Sequence, residues 1–240
     1  MSADLNDATG RNPGHRAQGS ASLAIVRWLL RRRKRHLERL VIGVPNYERR
    51  HSLELVGGAR VTSDAELTVA TIRAKGWECV RLAPRSKKPD GARWQITRDA
   101  DEVASWFAHG ANVGLVCHER TGVAVLDPDD LLPWADVIDM LGQPCLPWVI
   151  TGSGKLHYYV RWEPELPAKL IWCRAIIGEV QRGPGMQQVV LPGSIHPSGG
   201  TYRWITERLA FLCEPIDPVA DPLPRLNGEW LAWLRSHVYR

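Results

Sequence analysis

The chain of 240 residues is 44% hydrophobic, holds eleven tryptophans and carries a net charge of +5. That size supports one large domain or two small lobes with an ample core. No apolar run approaches the length that crosses a bilayer, and no signal peptide opens the chain. The five cysteines, Cys79, Cys117, Cys145, Cys173 and Cys213, are odd in number and never in C-x-x-C spacing, which excludes a zinc knuckle or a disulfide framework. A reduced, cytoplasmic setting is expected.

The excess charge is unevenly placed. Residues 1–60 hold twelve Lys/Arg against five Asp/Glu, whereas residues 61–240 hold nineteen against twenty-one. Residues 1–22 are polar, rich in Gly, Asn and Ala, and read as a disordered tail. Residues 23–60 form a basic extension. Its first part, Leu23 to Ile42, reads as a helix interrupted by Arg31, Arg32, Arg33, Lys34 and Arg35. Such a run is a solvated face or a contact for nucleic-acid phosphates, with a membrane-surface helix as the less favoured alternative.

Residues 61–240 read as the main folded domain. Ser63 with Glu66 three residues on is a capping box, and Gly76 closes the helix that it opens. A strand through Val80 and Leu82, a loop R-S-K-K-P and a helix from Asp99 to His109 follow. Val113–Val116 and Val123–Leu126 are expected to pair around a turn at Glu119–Gly122. Asp130 caps a helix over Leu131–Leu141, with Pro133 tolerated in its first turn. Strands are expected at Trp148–Ile150, Leu156–Trp162, Ile176–Gln181, Gln187–Leu191 and Tyr202–Trp204, and a terminal helix at Leu226–Val238. Helices with mainly antiparallel strands make this an α+β fold.

Three segments carry the chemistry. V-A-V-L-D-P-D-D (Val123 to Asp130) is an apolar strand delivering acids to its exit, and Asp127 and Asp129, two apart, face one spot. Two carboxylates on one face repel unless a proton or a cation intervenes. Hard divalent ions suit such donors and leave positions open for phosphates. T-G-S-G-K-L-H (Thr151 to His157) lacks the Walker pattern, yet offers backbone N–H groups at Gly154, the Ser153 hydroxyl and the Lys155 ammonium to a phosphate. Glu179, in G-E-V-Q-R-G-P-G, is a third acid. Three acids with such a loop are the equipment of two-metal nucleotidyl transfer.

This order resembles the primase–polymerase domain of the archaeo-eukaryotic primase superfamily, known from plasmids, phages and other mobile elements. The likeness takes in R-L-A-P-R-S-K-K-P (Arg81 to Pro89), the A-N-V-G-L stretch and L-P-G-S-I-H-P-S-G-G-T-Y-R-W (Leu191 to Trp204). It implies a two-lobed core, an N-terminal α/β lobe and an RNA-recognition-like antiparallel sheet, with the site between them. Asp127, Asp129 and Glu179 are then the catalytic acids, holding two Mg²⁺ or Mn²⁺ ions and no zinc. Ser153, Gly154, Lys155, His157, Lys88, Arg182, Ser194 and His196 are the expected nucleotide contacts. Lys155 replaces a glycine common in the family. The implied activity is DNA priming or polymerisation on a single-stranded DNA template from nucleoside triphosphates, in replication of a mobile element. A separate replicative helicase is an expected partner, and a membrane is not. The rivals are a non-catalytic replication or origin-binding module of the same fold and a two-metal nuclease.

Overall fold

The computed structural model describes residues 62–91, 94–172, 175–183, 187–209 and 214–237. The tail, the basic extension and Arg31, Arg32, Arg33, Lys34 and Arg35 lie outside the described residues. Helix α1 (Asp64–Lys75) opens on the expected capping box, in which the Glu66 N–H donates to Ser63 Oγ and the Ser63 N–H to the Glu66 carboxylate. It ends at Gly76, whose φ of 64° is the left-handed conformation that a helix stop favours. Strands β1 (Cys79–Leu82) and β2 (Ile96–Thr97), helix α2 (Ala100–Ala108) and strand β3 (Asn112–Val116) follow. Then come β4 (Val123–Pro128), α3 (Leu131–Leu141), β5 (Val149–Ile150), β6 (Leu156–Arg161), β7 (Lys169–Trp172), β8 (Ala175–Gln181), β9 (Gln188–Val190), β10 (Arg203–Trp204) and α4 (Gly228–Ser236).

These strands form two antiparallel sheets, and with four α-helices they make an α+β fold among the described residues. The first sheet has the order β2-β1-β3-β9 and the second β10-β5-β6-β4-β8-β7. The expected pairing of Val113–Val116 with Val123–Leu126 does not occur. The turn is present, with Gly122 at φ 72°, but β3 pairs with β1 and β9, while β4 pairs with β6 and β8. Every residue of β3 is buried. Both strands therefore need partners on each side, and those partners come from distant sequence. β2 and β7 are strands that the sequence reading did not contain.

Alternation along β4 sends its side chains to two cores. Val123 and Val125 join Tyr159, Trp148 and Trp204 in a core shared with the first sheet, α1 and α2. Ala124 and Leu126 join Trp134 of α3 and Trp230 and Trp233 of α4. The second sheet is thus packed on both faces, and its odd-numbered β4 positions point toward the first sheet. Asp127 continues that odd series.

Candidate active site

β4 leads the chain out of a fully buried run, and the site begins where burial ends. Asp127 lies directly opposite Glu179 of β8. On its other side β4 pairs with β6, from Val123↔Arg161 to Leu126↔Tyr158. Continued by one residue, this pairing sets Asp127 beside His157, and continued by three it sets Asp129 beside Lys155. The side chains meet accordingly. His157 Nε2 lies 3.4 Å from Asp127 Oδ1, and Lys155 Nζ lies 2.7 Å from Asp129 Oδ1. Acids two apart on one strand are therefore faced by a histidine and a lysine two apart on the next. Glu179 completes the row and accepts a hydrogen bond of 2.7 Å from Gln181 Nε2.

Gly178 makes the close approach of β4 and β8 possible. A Cβ there would meet the Asp127 carbonyl oxygen and the Pro128 Cα, so no other residue fits without parting the strands. The Asp129 and Asp130 N–H groups both donate to the Ile177 carbonyl, which fixes the turn leaving the strand. Asp130 then caps α3 through the Leu132 N–H, as expected.

His157 is buried, 4% exposed, and its ring is held against Tyr159 and Tyr202. Its Nδ1 has no hydrogen-bond partner among the described residues. Burial disfavours the charge of Asp127, but His157, Lys87 and Lys155 outweigh it and hold the carboxyl below the usual carboxylate range. The repulsion expected between the acids is relieved here by basic partners.

The Thr151–Lys155 turn is built by Thr151. Its Oγ accepts from the Lys155 N–H at 3.0 Å and contacts Ser153 Oγ at 3.0 Å, while its carbonyl accepts from the Gly154 N–H. Gly154, at φ 86°, is the residue that the turn demands. The Gly154 and Lys155 N–H groups are thus spent inside the turn. What the loop presents is the exposed Ser153 and the Lys155 ammonium. Gly152 packs on Gly200 of the Pro192–Gly200 loop so closely that a Cβ on either would strike the other's backbone. This brings His196 to the same site.

The His196 pKa is lowered by burial and by the charges of Lys87 and Lys155, which favours the neutral ring. Its Nδ1 accepts from the Ser198 N–H at 3.1 Å, which leaves Nε2 to carry the ring proton. The lysine of the R-S-K-K-P loop whose charge reaches Asp127 and His196 is Lys87; Lys88 serves through its backbone, its carbonyl accepting from the Ala83 N–H. Lys87 is itself placed by Gln188 of β9, whose Nε2 donates to the Lys87 carbonyl at 2.8 Å. The Gln188 side chain passes over Gly114, where a Cβ would block it. Asn112 ties the same loops, donating to the Ser86 and Ile195 carbonyls.

Two of the expected nucleotide contacts, Ser194 and Arg182, are engaged with the protein itself. Ser194 is 1% exposed, and its hydroxyl accepts from the Val113 N–H and donates to the Val113 carbonyl, so it joins the loop to β3. Arg182 follows the end of β8, its guanidinium over Trp162 and bonded to the Pro164 carbonyl. Lys87 acts on Asp127 through its charge, and Gln181 bonds Glu179. Gln181 was legible as the second neighbour of Glu179 on a strand.

The donor chemistry suits hard divalent ions, since Asp127 and Glu179 lie opposite each other and Asp129 already holds a cation, the Lys155 ammonium. The three do not converge in this arrangement. No group of three or more His, Cys, Asp or Glu among the described residues is close enough to grip an ion. Asp129 is turned to Lys155 and is 61% exposed. No helix among the described residues is long and apolar enough to cross a membrane. A family model described as "Bifunctional DNA primase/polymerase, N-terminal" matches residues 69–224, a span that includes all three acids and both loops. No curated protein matches the chain.

Proposed function

The chain belongs to the bifunctional DNA primase/polymerase, N-terminal (Prim-Pol) family, and from that membership we propose that it is a template-directed nucleotidyltransferase acting in replication of a mobile element. The observation that carries this reading is the row His157, Asp127, Glu179 across three neighbouring strands, with Asp129 and Lys155 one step beyond. Asp127, Asp129 and Glu179 would hold two Mg²⁺ or Mn²⁺ ions. Ions bound there would supply charge stabilisation to an attacking 3′-hydroxyl and to the departing pyrophosphate.

The chain's own groups supply position and charge. Lys87, Lys155 and the Nε2–H of His196 face one region from three loops and orient a triphosphate there. The Ser153 hydroxyl adds a neutral donor. Asp127 is ionised at neutral pH because its basic neighbours hold its pKa down, so it needs no proton removed before it binds a cation. His157 keeps that carboxylate in place, and Tyr159 and Tyr202 keep His157 in place. Catalysis on this reading is alignment plus electrostatic stabilisation, with no protein nucleophile.

The reading predicts that labelled nucleotides become incorporated opposite a single-stranded template when Mg²⁺ or Mn²⁺ is present. Running the assay with and without a primer, and with dNTPs or NTPs, separates priming from extension. Degradation of the template without incorporation would assign the acids to a nuclease. Template binding with neither reaction would leave a replication module without catalysis.

A further inference from the structure

Lys155 stands where two demands meet. Its stem leaves a turn clasped by Thr151, whose N–H donates to the Lys155 carbonyl at 2.7 Å and whose Oγ accepts the Lys155 N–H. The ammonium is therefore launched from a fixed point and reaches Asp129 at 2.7 Å. Its charge is also felt at Asp127 and at His196, as is that of Lys87. Two groups thus compete for the same partners. A divalent ion needs Asp129, which Lys155 holds, and a triphosphate needs a cation, which Asp129 holds.

We propose that Lys155 is a built-in exchangeable cation, occupying Asp129 until a nucleoside triphosphate draws it away, so that divalent ion and nucleotide bind cooperatively. The inference rests on the reading of Asp129 as a metal ligand. A divalent ion arriving alone must break the Lys155–Asp129 pair and settle beside a like charge. A metal–triphosphate complex offers Lys155 a new anion while giving Asp129 a stronger cation, so both ends of the pair are re-partnered in one step. Linkage makes the effect reciprocal: the factor by which nucleotide tightens metal binding equals the factor by which metal tightens nucleotide binding. The pair is partly exposed, at 32% for the Lys155 side chain and 61% for that of Asp129, so the factor is modest and sensitive to salt. The exchange also keeps the site from holding a bare ion tightly before substrate arrives.

The test is Mn²⁺ binding to the full-length protein, read by electron paramagnetic resonance, with and without a non-hydrolysable deoxynucleoside triphosphate. Lys155→Met keeps the stem and the backbone clasp but removes the charge. It should bind Mn²⁺ alone about three- to tenfold more tightly than wild type, and nucleotide should tighten Mn²⁺ binding less in it than in wild type. Lys155→Arg should behave as wild type. The gap between Lys155→Met and wild type should narrow as salt rises. Equal Mn²⁺ affinity of Lys155→Met and wild type, with Asp129→Asn weakening both, would overturn the exchange and leave the metal reading intact. Mn²⁺ affinity indifferent to Asp129→Asn in both backgrounds would overturn the two together.

Discussion

At the scale of single residues, the site depends on how β6 answers β4. Asp127 is met by His157 of β6 and Asp129 by Lys155 of the turn before it, and the two pairs differ in burial. His157 is enclosed by Tyr159 and Tyr202, whereas Lys155 and Asp129 lie toward solvent. The buried pair is a fixed part of the site and the outer pair an adjustable one. His157→Ala should therefore cost nucleotide affinity and rate at limiting nucleotide, with little change in template affinity. Nucleotide titrations followed by the fluorescence of the tryptophans, beside template titrations, measure the two separately. A loss confined to template binding would remove His157 from the triphosphate site. The packing of Ser194 and Arg182 also belongs to this scale. Arg182 lies past the end of β8, and its partners Trp162 and Pro164 come from another part of the chain. The fate of Ser194 was not legible, because its partner Val113 lies far away in sequence and only the fold brings them together. The Lys87 carbonyl is likewise held by Gln188, from another strand.

At the scale of elements, the contacts that matter are backbone contacts made possible by missing side chains. Gly178→Ala would drive a Cβ into the carbonyl of Asp127 and the Cα of Pro128, both backbone atoms that cannot swing aside. It should cost on the order of 1–3 kcal/mol of stability, as overpacking does, and misplace Asp127 relative to Glu179. Urea unfolding together with incorporation measures both effects, and a variant as stable and active as wild type would contradict the strand contact. A second device closes the far end of the first sheet. Glu78, just before β1, takes Arg98 and His118, which follow β2 and β3. Burial opposes the Glu78 charge, but hydrogen bonds from Arg98 and His118 prevail and hold its pKa below the ordinary value. A depressed folded pKa gives stability that is present above the unfolded value, about 4.3, and lost as pH falls through the folded one. Glu78→Gln should thus be less stable than wild type at pH 7, with the difference vanishing in acid. Melting temperatures across pH 3 to 7 test this. The helices and caps around these sheets were legible, because Ser63, Glu66, Gly76, Asp99 and Asp130 act on neighbours in sequence. The separation of β3 and β4 into two sheets was not. A local turn signal at Gly122 looks the same whether the flanking strands pair or part, and only distant β9, β6 and β8 decide.

At the scale of the whole molecule, charge and chemistry are divided. Residues 61–240 hold all the proposed catalytic groups at a slightly acidic balance, while the excess of positive charge lies in residues 1–60. Contact of Arg31, Arg32, Arg33, Lys34 and Arg35 with a single strand would steepen the salt dependence by about 0.7 log unit per phosphate. Replacing all five by Gln should weaken binding of single strands and flatten that slope, with incorporation at saturating template retained. Identical slopes would make the run a solvated face. The membership of residues 69–224 in the Prim-Pol family gives the frame within which the acids are read, and the register of β4 and β8 sets Asp127 beside Glu179. The most direct measurement is primer extension on a single-stranded template by wild type, Asp127→Asn and Glu179→Gln, with folding checked by circular dichroism. The account predicts incorporation by wild type and a loss of roughly a hundredfold or more in each folded variant, as removal of a group that stabilises developing charge produces. Incorporation by a folded Asp127→Asn protein at the wild-type rate would contradict it.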